Sequence, residues 1–252
     1  YDYENKTLDF DGMLTQLKEV SADDVVLLHA CCHNPSGMDL TNEQWQQVVE
    51  VAKDVGFTPL IDMAYQGFGT GLDEDAYGLR LMADNVKEMI VCSSCSKNFG
   101  LYRERIGACT LIAENASSAD LVASVLAYVI RGIYSMPPAH GAALVETILS
   151  SDELRNEWHS EKAYSELAEM RNRINGNRQL LVDKLIENGV TRDFSFIARQ
   201  SGMFSFLGIT PEQVQQLQDE YSIYMVGSSR MSIAGIANRN VDYLAQSIAK
   251  VL

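Results

Sequence analysis

The segment 94–105 contains a lysine in surroundings that are unusual for this residue type. Lys97 follows the apolar run 89–93, which predicts a buried strand, and serine hydroxyls lie close to it in the chain. A lysine resists burial unless its charge is removed or paired, and Schiff-base formation with an aldehyde removes the charge. Ser94, Ser96 and Arg105 offer hydroxyls and a planar guanidinium, which suit a phosphate group. The alternative is a lysine that extends from a strand end into solvent.

Polar side chains also end the other apolar runs in the first half of the chain. The runs 25–30 and 59–62 predict buried strands that lead into Asn34 and end at Asp62, and 106–112 predicts a further strand. Short apolar runs that alternate with helical patterns are typical of a mainly parallel sheet flanked by helices. Ligands of such sheets bind at the carboxyl ends of the strands, so we expect the chemistry there.

Capping boxes mark the start of two helices. Thr41 with Gln44 opens a helix whose apolar residues recur at helical spacing, and Thr210 with Gln213 opens another, with proline at its first position. The apolar residues on the first of these helices are Trp45, Val48, Val49 and Ala52.

A long helix is predicted over about 152–187, and strand-like pieces follow it at 194–199 and 203–207. The chain is therefore predicted to form a sheet domain over 1–165 and a smaller α+β domain over 166–252, joined by that helix.

Charge and cysteine content argue against several classes of protein. The formal net charge is −14, which disfavours nucleic acid as a partner, and apolar stretches such as 125–130 are too short to cross a bilayer. The five cysteines are odd in number and do not form a disulfide framework, which favours a reducing compartment, here taken as the cytoplasm. Cys92 and Cys95 form a C-x-x-C pair without further ligands at metal spacing; two thiols at the end of a buried strand explain it, and no metal is expected.

Six segments of the chain resemble motifs of the class I aminotransferases, most closely those of the aspartate and aromatic amino acid aminotransferases. They occur in the family's order and span most of the chain: 29–37, 62–68, 94–107, 131–138, 202–206 and 229–235. The resemblance implies a fold-type-I, pyridoxal-phosphate-dependent transferase-like α/β fold. Members of the family extend upstream of the position that matches Tyr1, so the N-terminal part of the family fold, with its phosphate loop, is expected to be absent here.

The resemblance assigns Lys97 to the cofactor, which it holds as an aldimine and later serves as the proton-transferring base. Asp62 then pairs with the pyridine nitrogen, while Asn34 and Tyr65 donate hydrogen bonds to the phenolate oxygen. Ser94, Ser96 and Arg105 hold the phosphate.

Substrate contacts follow from the same resemblance. Arg230 binds the α-carboxylate, with Asn34 beside the substrate and Phe204 lining the pocket. Arg131, accompanied by Ser135, reaches across the interface of a homodimer to the distal carboxylate of aspartate or glutamate; aromatic substrates stay open, because aromatic relatives keep this arginine. His29 and His33 are expected to support the site rather than to act as acid or base, and their alternative is packing.

The implied function is amino transfer between an aspartate, glutamate or aromatic amino acid and a 2-oxo acid, by way of pyridoxal 5'-phosphate. Two alternatives remain open at this point. One is a different pyridoxal-phosphate reaction on the same fold, and the other is a catalytically incomplete fragment that keeps the fold and the dimer surface.

Overall fold

A computed structural model of the protein describes residues 1–160 and 165–252. Contacts divide the chain into two compact units. The sheet unit contains Phe10–Cys31 and Leu40–Ala168, and the C-terminal unit contains Tyr1–Asp9, Cys32–Asp39 and Glu169–Leu252. The sequence patterns do not indicate that the two short segments at 1–9 and 32–39 belong with the C-terminal part.

A four-stranded mixed sheet forms the centre of the sheet unit. Its strands are β1 (Val25–His29), β2 (Thr58–Met63), β3 (Met89–Ser94) and β4 (Gly107–Ile112), in that spatial order. β1, β2 and β3 are parallel, and β4 is antiparallel to β3. All four predicted strands are present, and the antiparallel direction of β4 makes the sheet mixed rather than purely parallel.

The helices of this unit are α1 (Phe10–Glu19), α2 (Asn42–Val55), α3 (Tyr77–Asn85), α4 (Ala116–Ile133), α5 (His140–Ser150) and α6 (Asp152–Trp158). The capping box of α2 is formed as predicted: the Thr41 hydroxyl accepts from Gln44 N–H, and the Gln44 side chain accepts from Thr41 N–H. The four apolar residues predicted on its face are buried, which confirms the helical pattern.

Helix α4 is long, apolar and largely exposed. None of its 18 residues is buried, and its mean hydropathy is 1.4. By length and composition alone, it is the one helix in the described parts of the chain that is long enough and apolar enough to cross a membrane. The apolar stretch 125–130 is thus part of a longer helix than the sequence analysis considered.

The prediction of one continuous helix over 152–187 is wrong. α6 ends at Trp158, and His159 has extended backbone with φ −145° and ψ 120°. The next helix, α7, spans Glu166–Glu187, while 161–164 within the predicted helix lie outside the described residues. Trp158, the last residue of α6, makes tertiary contacts at the point where the helix ends. Its ring stacks on Phe99 with a centroid distance of 4.2 Å, and its indole N–H donates to the Asn98 carbonyl at 2.7 Å.

The C-terminal unit consists of short elements around most of α7. These are α8 (Ser195–Arg199), β5 (Phe204–Phe206), α9 (Pro211–Tyr221), β6 (Arg230–Ser232) and α10 (Val241–Val251), with β5 and β6 antiparallel. The second predicted capping box is present at the start of α9. The strand predicted at 194–199 is wrong: the alternating Phe194 and Phe196 resemble a strand pattern, but the Asp193 carboxylate accepts from Ser195 N–H at 2.7 Å and starts a helical turn there.

Candidate functional site

Lys97 lies in the turn after β3, half-buried against an aromatic ring. Its Nζ is 4.3 Å from the ring centroid of Tyr65, which follows β2 and is buried. Burial lowers the pKa of Lys97; Asp62, at the carboxyl end of β2, raises it, and Arg105 lowers it further. The structure therefore brings Lys97, Tyr65, Asp62 and Arg105 together, and it leaves the amine easier to deprotonate than an ordinary lysine.

The connection from β3 to β4, residues 95–106, is shaped by its own backbone hydrogen bonds. Cys95 N–H donates to the Ile106 carbonyl at 3.1 Å and closes the base of the connection, and Gly100 N–H donates to the Lys97 carbonyl at 3.1 Å. Ser94 Oγ accepts from Ser96 N–H at 3.2 Å, which places the two serines in one turn. These contacts fix the lysine at the sheet edge where the sequence analysis expects the chemistry.

Arg105 closes this connection in a left-handed backbone conformation. Its φ is 51°, and its guanidinium donates to the Tyr102 carbonyl at 3.1 Å while remaining exposed. A non-glycine residue in this region of φ is uncommon and is often found at functional sites. Arg105 thus presents a cation beside Lys97, as the resemblance implies.

Asn98 anchors the lysine turn to the segment that follows β2. Its side-chain amide donates to the Gln66 carbonyl at 3.3 Å, and its own carbonyl accepts from the Trp158 indole at 2.7 Å. Trp158 and Asn98 were not among the predicted site residues. Trp158 is 60 positions away in the chain, so no local spacing reveals the contact.

Asp75 fixes the loop that follows Tyr65, and the sequence analysis did not single it out. Its buried carboxylate accepts from the backbone N–H groups of Gly67, Gly69 and Thr70 at 2.8, 2.9 and 2.8 Å. Gly67 has φ 94°, and a Cβ there would approach the Leu167 side chain to 2.6 Å. Tyr65 is therefore followed by a loop with little freedom.

Arg230 is the principal polar group of the candidate site in the C-terminal unit. It lies on β6, with its guanidinium carbon 3.9 Å from the ring centroid of Phe204 on β5. Its Nε–H is buried and has no hydrogen-bond partner among the residues that the structure describes. Arg230 also lines a cavity of about 330 Å³ together with Ser232, Asn240 and Tyr243. A guanidinium that lies over an aromatic ring and keeps an unused N–H donor suits a carboxylate ligand.

Asn34 belongs to a turn whose backbone is held by a carboxylate. Asp39 accepts from the N–H groups of Cys32 and His33, each at 2.8 Å. The His33 ring is engaged with the Ser36 hydroxyl at 2.7 Å, within its own turn. This arrangement agrees with a supporting role for His33.

Arg178 of α7 is a buried cation that the sequence analysis missed. Its side chain donates to four backbone carbonyls and one hydroxyl, at distances of 2.7–3.0 Å. The acceptors are the carbonyls of Ile197, Ser201, Gly202 and Phe204 and the hydroxyl of Ser205. Burial lowers the pKa of Arg178 to about 10, which still leaves it charged at neutral pH. It positions β5 and with it Phe204, and its place between the buried Ile174 and Leu181 is the periodic signal that would have found it.

Three further predicted residues belong to the sheet unit: Arg131 and Ser135 are exposed, and His29 is half-buried. Arg131 lies in the last turn of α4, exposed, and Ser135 follows with φ 69°. His29 ends β1, directly opposite Asp62 in the strand register.

Comparison with known proteins covers the chain from end to end. Residues 1–248 match the family described as aminotransferase class I and II. The aspartate aminotransferase of Escherichia coli K12 is 52% identical over 252 residues, which are all of this chain and 62% of the relative. The aromatic-amino-acid aminotransferase of Pseudomonas aeruginosa is 47% identical over 244 residues, 97% of this chain and 60% of the relative.

Solved structures show the same fold. A crystal structure of an aromatic-amino-acid aminotransferase from Burkholderia pseudomallei, covalently bound to pyridoxal phosphate, matches with a TM-score of 0.95 at 47% identity, over 100% of this chain and 62% of that one. A mitochondrial aspartate aminotransferase from Trypanosoma brucei matches with a TM-score of 0.95 at 42% identity, over 100% and 65%. The chain therefore spans a little over three fifths of the length of these relatives.

Proposed function

Because the chain belongs to the class I and II aminotransferase family, we propose that it carries out amino transfer between an amino acid and a 2-oxo acid. The observation that carries the proposal is the half-buried Lys97, whose amine lies over Tyr65 with Asp62 and Arg105 in electrostatic reach. Fold type I, shared with the pyridoxal-phosphate enzymes among the solved relatives, supplies the frame.

The residues present fit pyridoxal 5'-phosphate as the cofactor. Lys97 has a lowered pKa and thus a larger neutral fraction for attachment to the aldehyde. Asp62 would pair with the pyridine nitrogen and keep it protonated. Ser94, Ser96 and Arg105 would hold the phosphate. When bound, the cofactor supplies the electron sink that makes the α C–H bond of the amino acid acidic.

The chain's own residues then perform positioning and proton transfer. Lys97 Nζ would be the base that takes the proton from the substrate α-carbon and holds it for return. Tyr65 and Asn34 would donate hydrogen bonds to the cofactor's phenolate oxygen and so stabilise its negative charge. Arg230 binds the α-carboxylate through its guanidinium fork and fixes the direction of the α C–H bond.

Substrate preference tests the proposed function, because Arg230 and Arg131 are expected to bind different carboxylates of the substrate. Arg230→Leu should lower kcat/KM for aspartate and for phenylalanine alike, by roughly 10–100-fold for the loss of a charged hydrogen-bond pair. Arg131→Leu should lower it for aspartate and spare phenylalanine. An assay with 2-oxoglutarate as acceptor measures both, and Arg239→Leu, an exposed arginine of the C-terminal unit, is the matched control.

Two outcomes would contradict the proposal. Release of ammonia or carbon dioxide without amino exchange would assign a different reaction on the same fold. Equal losses for both substrates in Arg131→Leu would remove the distal-carboxylate role of that residue.

A homodimer with shared active sites completes the proposal, and the uncovered helix α4 supports it. Leu121, Val125 and Tyr128 are 66, 53 and 79% exposed on this helix, and Arg131 lies in its last turn. Light scattering should give the mass of a dimer. Tyr128→Glu should lower this mass, because it places a charge on the apolar surface, whereas Ser117→Glu on the same helix should preserve it. We place the protein in the cytoplasm because its five cysteines do not form a disulfide framework. Its net charge of −14 disfavours nucleic acid as a partner, and we assign the apolar surface of α4 to the dimer rather than to a membrane.

A catalytically silent interaction unit is the second candidate. The observation in its favour is the apolar helix α4, none of whose residues is buried. Cofactor binding separates the two candidates.

A further inference from the structure

A row of chemistry-bearing side chains crosses the four strands of the sheet at one level. The strand register pairs His29 with Asp62, Asp62 with Cys92, and Cys92 with Cys109. Residues in register on neighbouring strands project to the same face of a sheet, so these side chains lie side by side. The proposed function uses Asp62 and gives neither thiol a role.

Cys92 and Cys109 occupy the closer of the two kinds of antiparallel pair. Cys95 N–H donates to the Ile106 carbonyl, which makes these two residues a hydrogen-bonded pair. Hydrogen-bonded and non-hydrogen-bonded pairs alternate along an antiparallel ladder. The Cys92–Cys109 pair lies three pairs away from the Cys95–Ile106 pair, an odd number, and is therefore non-hydrogen-bonded. The Cα atoms of such a pair are about 4.5 Å apart, inside the range of about 4.4–6.8 Å that a disulfide bridges.

The two thiols interact, and both cysteines are exposed residues. Burial raises the pKa of the Cys92 thiol, and the neighbouring Cys109 thiol raises it further. Both residues are nevertheless exposed at this face of the sheet, so Cys92 is not one of two thiols at a buried strand end, as the sequence pattern suggested. A small oxidant in solution reaches both.

The other cysteines are poorer partners. Cys95 is three positions beyond Cys92, which in extended chain means the opposite face and a separation of roughly 10 Å. Cys31 and Cys32 are buried. The C-x-x-C spacing of the sequence therefore does not mark the reactive pair; the strand register does.

We propose that Cys92 and Cys109 form a modification site, a cross-strand dithiol that a hydroperoxide oxidises to a disulfide. One thiolate attacks a peroxide oxygen and breaks the O–O bond. The other peroxide oxygen is protonated and released as water or an alcohol, and the attacking cysteine becomes a sulfenic acid. The second thiolate attacks that sulfur and expels its oxygen as water, which forms the S–S bond. Two thiols are oxidised, one peroxide is reduced, and both thiol protons end in the released molecules.

This bond closes the base of the connection that carries Lys97. The segment between the two cysteines includes Ser94, Ser96, Lys97 and Arg105. A cross-link at its base restricts the openings of that segment, so backbone hydrogen exchange over 95–106 slows in the oxidised protein.

Peptide mapping of the full chain tests the proposal. The reduced protein is treated with hydrogen peroxide, alkylated, and digested with trypsin without reductant; cleavage after Lys97, Arg103 or Arg105 separates the two cysteines into different peptides. We expect one linked pair of peptides containing Cys92 and Cys109, which dithiothreitol separates. Cys92→Ser should abolish the link and leave Cys109 open to alkylation or oxidation to its acids, whereas Cys95→Ser should keep the link.

A link between Cys92 and Cys95, oxidation of both thiols to sulfinic acids without a link, or no reaction at all would each overturn the proposal. Circular dichroism of both serine variants shows whether they fold. The measurement needs neither cofactor nor amino acid, so its result is independent of whether the protein is an aminotransferase.

Discussion

Lys97→Ala is expected to abolish the visible absorbance that the protein acquires with pyridoxal 5'-phosphate, and to leave nothing for borohydride to fix. The Nζ of Lys97 is the attachment point in the proposed site, and its lowered pKa keeps more of the amine in the neutral, nucleophilic form. Amino transfer should fall by at least about 10²–10⁴-fold, the typical contribution of a general base. Spectrophotometry and mass analysis of the reduced adduct measure these effects.

The matched control is Lys87→Ala, which removes an exposed lysine paired with Glu114 and should retain absorbance and adduct. The pH dependence gives a second check. Because burial lowers the pKa of Lys97, attachment should persist to lower pH than attachment to an exposed lysine, and it should weaken as pH falls and the amine becomes protonated. Wild-type protein without any adduct would support the silent interaction unit, and an adduct that survives Lys97→Ala would assign a different lysine.

Arg178→Met is expected to lower the free energy of unfolding of the C-terminal unit by about 4 kcal/mol or more. Methionine fills similar space but cannot donate hydrogen bonds. Four carbonyls then lose their donor, those of Ile197, Ser201, Gly202 and Phe204. Each unsatisfied carbonyl costs about 1–3 kcal/mol before the structure relaxes. Hydrogen exchange over 196–206 should become faster, because α8 and β5 lose their common anchor.

Urea unfolding followed by circular dichroism, together with hydrogen-exchange mass spectrometry, measures this change. The control is Asn172→Met, at an exposed position of the same helix. It should change the free energy of unfolding by no more than about 0.5 kcal/mol and leave hydrogen exchange over 196–206 unchanged. Unchanged exchange over 196–206 in Arg178→Met would show that its hydrogen bonds do not hold β5.

Local patterns predicted much of the fold. The apolar runs ending near Asp62 and Ser94 gave β2 and β3, and the capping boxes gave the starts of α2 and α9, since these signals depend on neighbours within a few positions. Contacts between distant positions decided the rest. The stacking of Trp158 on Phe99 accompanies the end of α6 where the sequence pattern continued, and short-range hydrogen bonding to Asp193 overrode the strand-like pattern of α8.

The candidate site divides in the same way. Lys97 after a strand and between hydroxyls was visible from residue types alone, while the roles given to Asp62, Tyr65, Arg105 and Arg230 came from the family resemblance. Asp75 was missed because its carboxylate binds backbone N–H groups, which carry no side-chain signature in a sequence, whereas the position of Arg178 on the apolar face of α7 was overlooked. Both side chains fix the path of a backbone segment, and residue types alone do not specify that path.

The carboxylate of Asp75 has a consequence for where the cofactor's phosphate can go. Glycine-rich loops such as 67–71 often cradle phosphate because their amide groups point inward, and this loop already has an internal anion in that position. Its donors are saturated from within the protein, so an incoming phosphate meets competition there instead of attraction. Under the proposed function, this leaves the phosphate to the serines and the arginine around Lys97, even though their segment is poorer in glycine.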